Sequence, residues 1–325
     1  MAANVGTGSE DFVHLLFSGE TTSPWHVGMA SAGVGRRRSL TTRTDYLWGR
    51  GVRGPVLRYL WRAHCSGLPE CGRCGSAQDC PYWNLSGSGE DGEFKGRPRA
   101  VFTNLYFIRP RKGTVPLSTG RGEIAVEYIE EGTRFWFEVI LMGGGARFEG
   151  DMRSAVEATL RILGWGGLCN EGMGRGIITS VERSGFADFE RRYVEPTAEL
   201  IGREATFSVD PPLILERLGR RGVYTGIQEE GFLEKLRNSV AERYWQFCGE
   251  HIRLELEDVR GRAGVAKVRG WGGTGHRSFV GLSGEISLRV APSLETARAL
   301  ALARYGVGKY KNQGFGSLRL ITSHG

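Results

Sequence analysis

The sequence predicts an α+β protein of two similar halves, each with strands and two helices in roughly βαββαβ order. Three observations predict it. Apolar residues alternate between strand spacing and helix spacing along the chain. A helical run, Leu294 to Arg304, leads into the glycine-rich stretch Tyr305 to Gly316 and then into an apolar strand, Ser317 to Ile321. A second helix–glycine loop–strand unit, centred on Gly164 to Gly176, lies roughly 140 residues earlier and suggests an internal duplication. The βαββαβ order is the ferredoxin-like motif, expected as an antiparallel sheet with helices on one face. A chain of 325 residues can hold two such domains, placed here at 1–190 and 200–325.

The elements follow in order. Phe12 to Ser18 reads as a first strand, and Gly19 to Tyr46 as a long polar loop carrying Arg36, Arg37 and Arg38. Gly54 to Cys65 sets Val56, Leu57, Leu60 and Trp61 at helical spacing, with Pro55 suited to a first turn. A small cysteine-rich insert occupies about 65–92. Arg99 to Ile108, Gly122 to Ile129 and Thr133 to Leu141 alternate as strands, and Glu130-Glu131-Gly132 turns between the last two. The helix Met152 to Leu163, the first glycine loop and the strand Ile177 to Glu182 complete this half. Ser184 to Glu199 links it to the next. There, Ala205 to Val209 is a strand and Glu229 to Cys248 a long helix. His251 to Val259 and Ala263 to Arg269 resemble a hairpin, and Phe279 to Val290 is a strand. The closing helix, glycine loop and last strand follow.

The bulk composition narrows the function. The 50 glycines cluster in loops between apolar runs, with no collagen period. Lys+Arg 43 against Asp+Glu 36 gives a net charge of +7, which favours a polyanionic partner. No run of 18 or more uncharged apolar residues occurs, so no membrane span is expected. The start, Met1-Ala2-Ala3-Asn4-Val5-Gly6, lacks a basic segment followed by an apolar core. A cytoplasmic location is expected.

Four cysteines, Cys65, Cys71, Cys74 and Cys80, are spaced Cys-x5-Cys-x2-Cys-x5-Cys. Two thiolates from one tight turn suit adjacent tetrahedral positions of zinc, and four leave no open position, so the expected ion is one structural zinc without a catalytic metal. The polar, glycine-rich insert has little to pack, so metal would supply its order. An iron–sulfur cluster, disulfides and free thiols are the alternatives. Cys169 and Cys248 stand alone and are expected as buried apolar residues.

Glycines let a backbone approach a ligand closely. Successive free amides in such a turn form an anion-binding concavity, and Lys309 and Lys311 add charge. A phosphate backbone is the expected ligand; a glycine-rich turn without ligand is the alternative. Phosphate loops of nucleotide-binding proteins run from strand to helix, the reverse of the order here.

Three segments resemble the RAMP superfamily of CRISPR-associated proteins. Gly306 to Gly316 looks like the signature loop of the CRISPR repeat-processing endoribonucleases, the sixth Cas family. Gly272 to Ile286, with His276-Arg277-Ser278, is similar to the strand that precedes that loop. Val52 to Arg58, followed by the four cysteines and Pro81-Tyr82, resembles a cysteine-bearing branch of the family. The resemblance implies two RRM-like domains and a CRISPR precursor RNA as substrate. It implies metal-independent cleavage by the neighbouring 2′-OH, leaving a 2′,3′-cyclic phosphate and mature guide RNAs. Such cleavage needs a base, an acid and cations around the phosphorane, and histidine suits either proton role. His26, after the first strand, and His64, ending the first helix, are the catalytic candidates, with Tyr59 and Lys95 as helpers. His14 is expected to pack inside its strand. His251 begins a strand, His276 sits in a basic segment and His324 in the tail.

For RNA binding, Arg36, Arg37, Arg38, Arg277, Arg319, Lys309, Lys311 and glycines Gly306, Gly308, Gly314 and Gly316 are expected to line a basic cleft. Trp271 and Tyr310 are candidates for base stacking, while Trp165 reads equally as core. Other Cas proteins and a second copy of the chain are partners by resemblance only. Ser23 to Gly28 and Val52 to Arg58 are also similar to the seventh Cas family, the guide-RNA backbone subunits of effector complexes. In that reading Asp45 would assist target cleavage and the protein would not process precursors. A zinc-supported structural protein without RNA is the third class.

Overall fold

Two compact units make up the chain, one from Val13–Gly89 and Arg99–Arg183, the other mainly from Ser184–Gly325. The computed structural model describes residues 12–31, 39–42, 46–65, 74, 77–86, 98–119, 122–199, 204–218, 222–272, 275–290 and 293–321.

In the first unit the elements are β1 (Phe12–Thr21), β2 (Gly28–Ser31), β3 (Ser39–Thr42), β4 (Tyr46–Leu47), α1 (Gly49–His64) and α2 (Pro81–Ser86). Then come β5 (Ala100–Phe102), β6 (Leu105–Ile108), β7 (Lys112–Thr119), β8 (Gly122–Ile129), β9 (Arg134–Met142), α3 (Glu149–Ala158) and β10 (Gly176–Ser184). One sheet runs β10-β1-β9-β6-β4, with β5 also on β9. With β1, β6, β9 and β10 as strands one to four, the order is 4-1-3-2, the arrangement a βαββαβ chain takes when both crossovers lie on one face. Alternation explains its core. Val13, Leu15 and Phe17 of β1 and Phe135, Phe137, Val139 and Leu141 of β9 point to one side. Val52, Val56 and Leu60 of α1 and Met152, Ala155 and Val156 of α3 join the same buried cluster. Each of these side chains larger than alanine contributes about 1.5–3 kcal/mol when fully buried.

The second unit repeats the plan. It contains α4 (Phe186–Phe189), α5 (Glu195–Ala198), β11 (Glu204–Leu213), α6 (Phe232–Cys248), β12 (Leu256–Gly261), β13 (Gly264–Gly272), β14 (Gly275–Val290), α7 (Leu294–Leu302) and β15 (Leu318–Leu320). Its sheet runs β12-β14-β11-β15, all antiparallel, with β13 also on β14. That is again 4-1-3-2, with the second position split between β12 and β13. Both halves are ferredoxin-like, and the protein is α+β.

Several local expectations change. The segment 19–46 is no plain loop: β2 and β3 join β8 and β7 in a second sheet, with β3 parallel to β8. Helix α1 begins at Gly49, so Pro55 lies inside it. The start is set by Asn104, whose Oδ1 accepts from the Gly49 amide at 2.7 Å. Asn104 sits in the break between β5 and β6, which also divides the single strand expected at 99–108. The segments 256–261 and 264–272 do not pair with each other. Both pair with β14, whose 16 residues are long enough for the two in series. The hairpin is β13–β14, closing at Gly272 opposite Gly275. The linker carries α4, a π-helical turn at Glu190–Val194 and α5. Among the described residues, no helix is long and apolar enough to cross a membrane.

Candidate functional site

The two glycine loops share one backbone. Each follows its helix through a glycine with positive φ, Gly164 at 75° and Gly306 at 93°. Each has a second such glycine two residues on, Gly166 and Gly308. Each then places a non-glycine residue in the left-handed region, Leu168 and Tyr310, followed by one 3-10 turn, Cys169–Glu171 and Lys311–Gln313. Gly172 and Gly314 cap those turns, and Gly174 and Gly316 close the loops.

The hydrogen bonds match as well. The amide of Trp165 donates to the Gly174 carbonyl at 2.8 Å, and that of Val307 to Gly316 at 3.0 Å. The Gly174 amide donates to Pro24 and the Gly316 amide to Pro212. The Gly167 amide donates to the His26 carbonyl and the Lys309 amide to the Ile214 carbonyl, both at 2.8 Å. Each loop is therefore stitched to the strand end that opens its own unit. The amides of Gly306, Val307, Lys309, Gly314 and Gly316 are all committed to backbone carbonyls. The expectation of a concavity of free amides is corrected at these five positions: the glycines serve close backbone packing, and any anion must be met by side chains.

In the first loop His26 takes the place that Ile214 holds in the second. It is 4 % exposed, beneath Gly167. Its Nδ1 lies 2.8 Å from the Glu127 carbonyl oxygen. A carbonyl only accepts, so Nδ1 carries the proton and Nε2 is the basic nitrogen of the neutral ring. Trp165 is fully buried, its indole donating to Thr159 Oγ1. Cys169 is half-buried, not the core residue expected; its Sγ–H points to the Gly166 carbonyl, and burial pushes the thiol pKa up. Cys248 is likewise half-buried.

The second loop carries cations. A pocket of about 420 Å³ lies between residues 308–312 and one face of α6, with Glu216 at its edge. Lys235, Ser239 and Glu242 supply the helix face, at spacings of four and three residues that stack on one side of a helix. Lys309 pairs with Glu216, and Lys311 Nζ lies 2.6 Å from Glu242 Oε1. The Glu216 hydrogen bond holds the Lys309 pKa above its ordinary value. Burial pushes that of Lys311 down, since only 9 % of the residue is exposed. Below the pocket Arg243 is fully buried; it donates to Gln246 Oε1 and to the carbonyl of Tyr305, the residue before the loop. Burial lowers its pKa too, without discharging it at neutral pH. The Tyr310 ring meets Phe279 edge-on at 5.1 Å. Glu216, Lys235, Ser239 and Glu242 were missed from the sequence. The helix face was readable from its spacing, but Glu216 had no local signal.

The remaining expected residues scatter. His64 Nε2 lies 3.5 Å from Asp151 Oδ1, both partly exposed, where the end of α1 meets the start of α3. Tyr59 packs against the first core. His14 is buried as expected, its Nε2 3.2 Å from Glu138 Oε2. His251 stacks on Trp245 at 5.4 Å. Arg319 stands on β15 opposite Ser208. Trp271 and Arg277 are placed by backbone only, opposite His276 and Gly270. Arg36, Arg37, Arg38, Asp45, Cys71, Lys95 and His324 lie outside the described residues. Cys65, Cys74 and Cys80 are half-buried free thiols. Asn84 Nδ2 donates to the carbonyls of Ala77, Gln78 and Cys80, which fixes the turn bearing the last of them. Among the described residues no three His, Cys, Asp or Glu side chains converge as a metal site. The thiols are the donor type zinc prefers.

No protein-family model matches the chain, and no curated protein matches it. Solved structures do. One described as a CRISPR-associated protein Cas6 is 10% identical, with 96% of this chain and 100% of that chain covered at a TM-score of 0.48. A RAMP protein described as binding different RNA substrates is 13% identical, covering 95% and 100%, at 0.48. A Cas6-related protein from Pyrococcus furiosus is 12% identical, covering 97% and 99%, at 0.45. Each of these three alignments spans nearly the whole of this chain.

Proposed function

We propose that the protein binds CRISPR RNA through the second glycine loop and processes precursor transcripts by metal-independent cleavage within repeats. The observation that supports binding is the gathering of Lys235, Lys309 and Lys311 around one pocket beside Tyr310. The exposed Lys309 ammonium suits a phosphodiester oxygen, the other two add positive charge, and the ring offers a stacking face. For cleavage, the 2′-OH attacks the adjacent phosphorus, a base takes its proton, and the 5′-oxygen leaves with a proton from an acid. Of the two candidate histidines, His64 has the exposure that proton exchange with a bound RNA requires, and Asp151 would orient its ring. His26 is enclosed.

A labelled CRISPR repeat incubated in EDTA tests this. The expected result is cleavage to a 2′,3′-cyclic phosphate, a fall of roughly 100-fold or more in His64→Ala, and weaker binding in Lys309→Ala. Intact RNA under all conditions removes the processing role. The burial of His26 favours a second reading, a non-cleaving guide-RNA backbone subunit, which would bind RNA of any sequence in repeating multiples and leave it whole. The same proposal includes one structural zinc on Cys65, Cys71, Cys74 and Cys80. Elemental analysis of protein purified without chelator should find it in equimolar amount, and its absence would withdraw the zinc assignment.

A further inference from the structure

The pocket beside the second loop holds its own substitutes for a ligand. Three lysines face two glutamates there, Glu216 and Glu242. The two ion pairs differ in kind. Lys309 and Glu216 are both open to solvent, their side chains 41 % and 53 % exposed. The difference lies in the lysine: Lys311 is buried at 10 % side-chain exposure, while its partner Glu242 is 53 % exposed, as Glu216 is, and also accepts from Gln246. Moving Lys311 to a new anion would mean breaking a partly desolvated pair, which is costly. Moving Lys309 costs little, since exposed pairs are weak. Lys235 lines the same pocket and has no carboxylate within ion-pair distance among the described residues; its charge acts on Lys311, whose pKa it helps to lower.

We infer that this pocket is a single-phosphate subsite that works by exchange: one phosphodiester of a bound RNA strand displaces the Glu216 carboxylate from Lys309 and is held by Lys309, while the Lys311–Glu242 pair stays closed as part of the wall. The inference rests on the RNA-binding reading above and deepens it. Exchange has a signature in salt dependence. A phosphate neutralised by a lysine releases its condensed cation, about 0.7 per contact for a single strand. In the wild-type protein the freed Glu216 carboxylate takes a cation up again, so this contact adds almost nothing to the salt slope. Without the carboxylate, the release is no longer offset.

The test measures binding of a fluorescent single-stranded RNA to the full chain by anisotropy over a range of salt concentrations. Wild type, Glu216→Gln, Glu242→Gln and Lys309→Ala are compared, with urea midpoints confirming that each is folded. Glu216→Gln should bind about 2- to 5-fold more tightly at low salt, the worth of an exposed ion pair. Its log–log salt slope should be steeper by about 0.7. Lys309→Ala should bind more weakly with the wild-type slope, and Glu242→Gln should keep the wild-type slope. Unchanged or weaker binding by Glu216→Gln, with an unchanged slope, would mean that the glutamate merely positions Lys309, and exchange is then wrong. Equal steepening in Glu242→Gln overturns the assignment to Lys309. A wild-type protein that binds no RNA at low salt defeats the RNA-binding reading itself, and the exchange falls with it.

Discussion

The loops at 164–174 and 306–316 have the same backbone and different side chains. Both turn through glycines at matching positions, and both donate the same amides to the strand end that opens their unit. Where the first has Gly167 and Cys169, the second has Lys309 and Lys311. Where the first packs over His26, the second packs over Ile214. The shared part is thus architecture, and the chemistry lies in the residues that differ. A glycine-rich loop in such a fold says that two backbones pass close together. It does not by itself say that a ligand is bound.

The strongest way to break this comparison is to fill the closing glycines. A Cβ at Gly316 would collide with the Val307 carbonyl oxygen, and one at Gly174 with that of Trp165. Both glycines also have positive φ, 72° and 83°. Each Ala variant should lose roughly 3 kcal/mol, strain and collision together, read from urea unfolding. Gly172 has the same kind of φ with open space around its Cβ position. Gly172→Ala should lose only about 1 kcal/mol. Equal losses at all three would show that φ alone matters and that close packing does not.

A smaller effect tests the side-chain difference. His26→Ile gives the first loop the residue of the second. It removes the 2.8 Å bond to the Glu127 carbonyl, at a cost of about 1–3 kcal/mol. Repeat cleavage should persist; its loss in a folded variant would return His26 to the chemistry.

The smallest effect lies in the approach to α6. The Thr225 hydroxyl and amide, then the Gly226 amide and Arg217, hold Glu229 well below the usual carboxylate range, at about 2. A depressed carboxyl stabilises the fold above its unfolded pKa near 4.5, and that contribution is lost as pH falls towards 2. Glu229→Gln should flatten the acid limb of the second unit's stability between about pH 5 and 2. An unaltered limb would place the acid response elsewhere.

Much of this was readable in advance, and what was not has a common cause. The βαββαβ order and both loops follow from local spacing. The use of the loop amides did not, because their acceptors, Pro24 and His26 or Pro212 and Ile214, lie far away in sequence. The pairing of β12 and β13 was misjudged for a related reason: adjacency suggests a hairpin, but the long β14 offers both a partner. The start of α1 depended on Asn104, again distant. At the site, Lys309 and Lys311 stood out beside glycines. Glu216, which neutralises one of them, carried no nearby mark.

Leu168 and Tyr310 keep positive φ, 57° and 62°, although neither is glycine. Such a residue is held there at about 1–2 kcal/mol each, and the chain tolerates the cost twice. The turn therefore behaves as a portable cassette whose shape is imposed by its frame and not by the preferences of its own residues. An engineer exchanging the eleven residues between the halves would have to refit two places: the His26 ring under Gly167, and the buried sites of Trp165 and Val307.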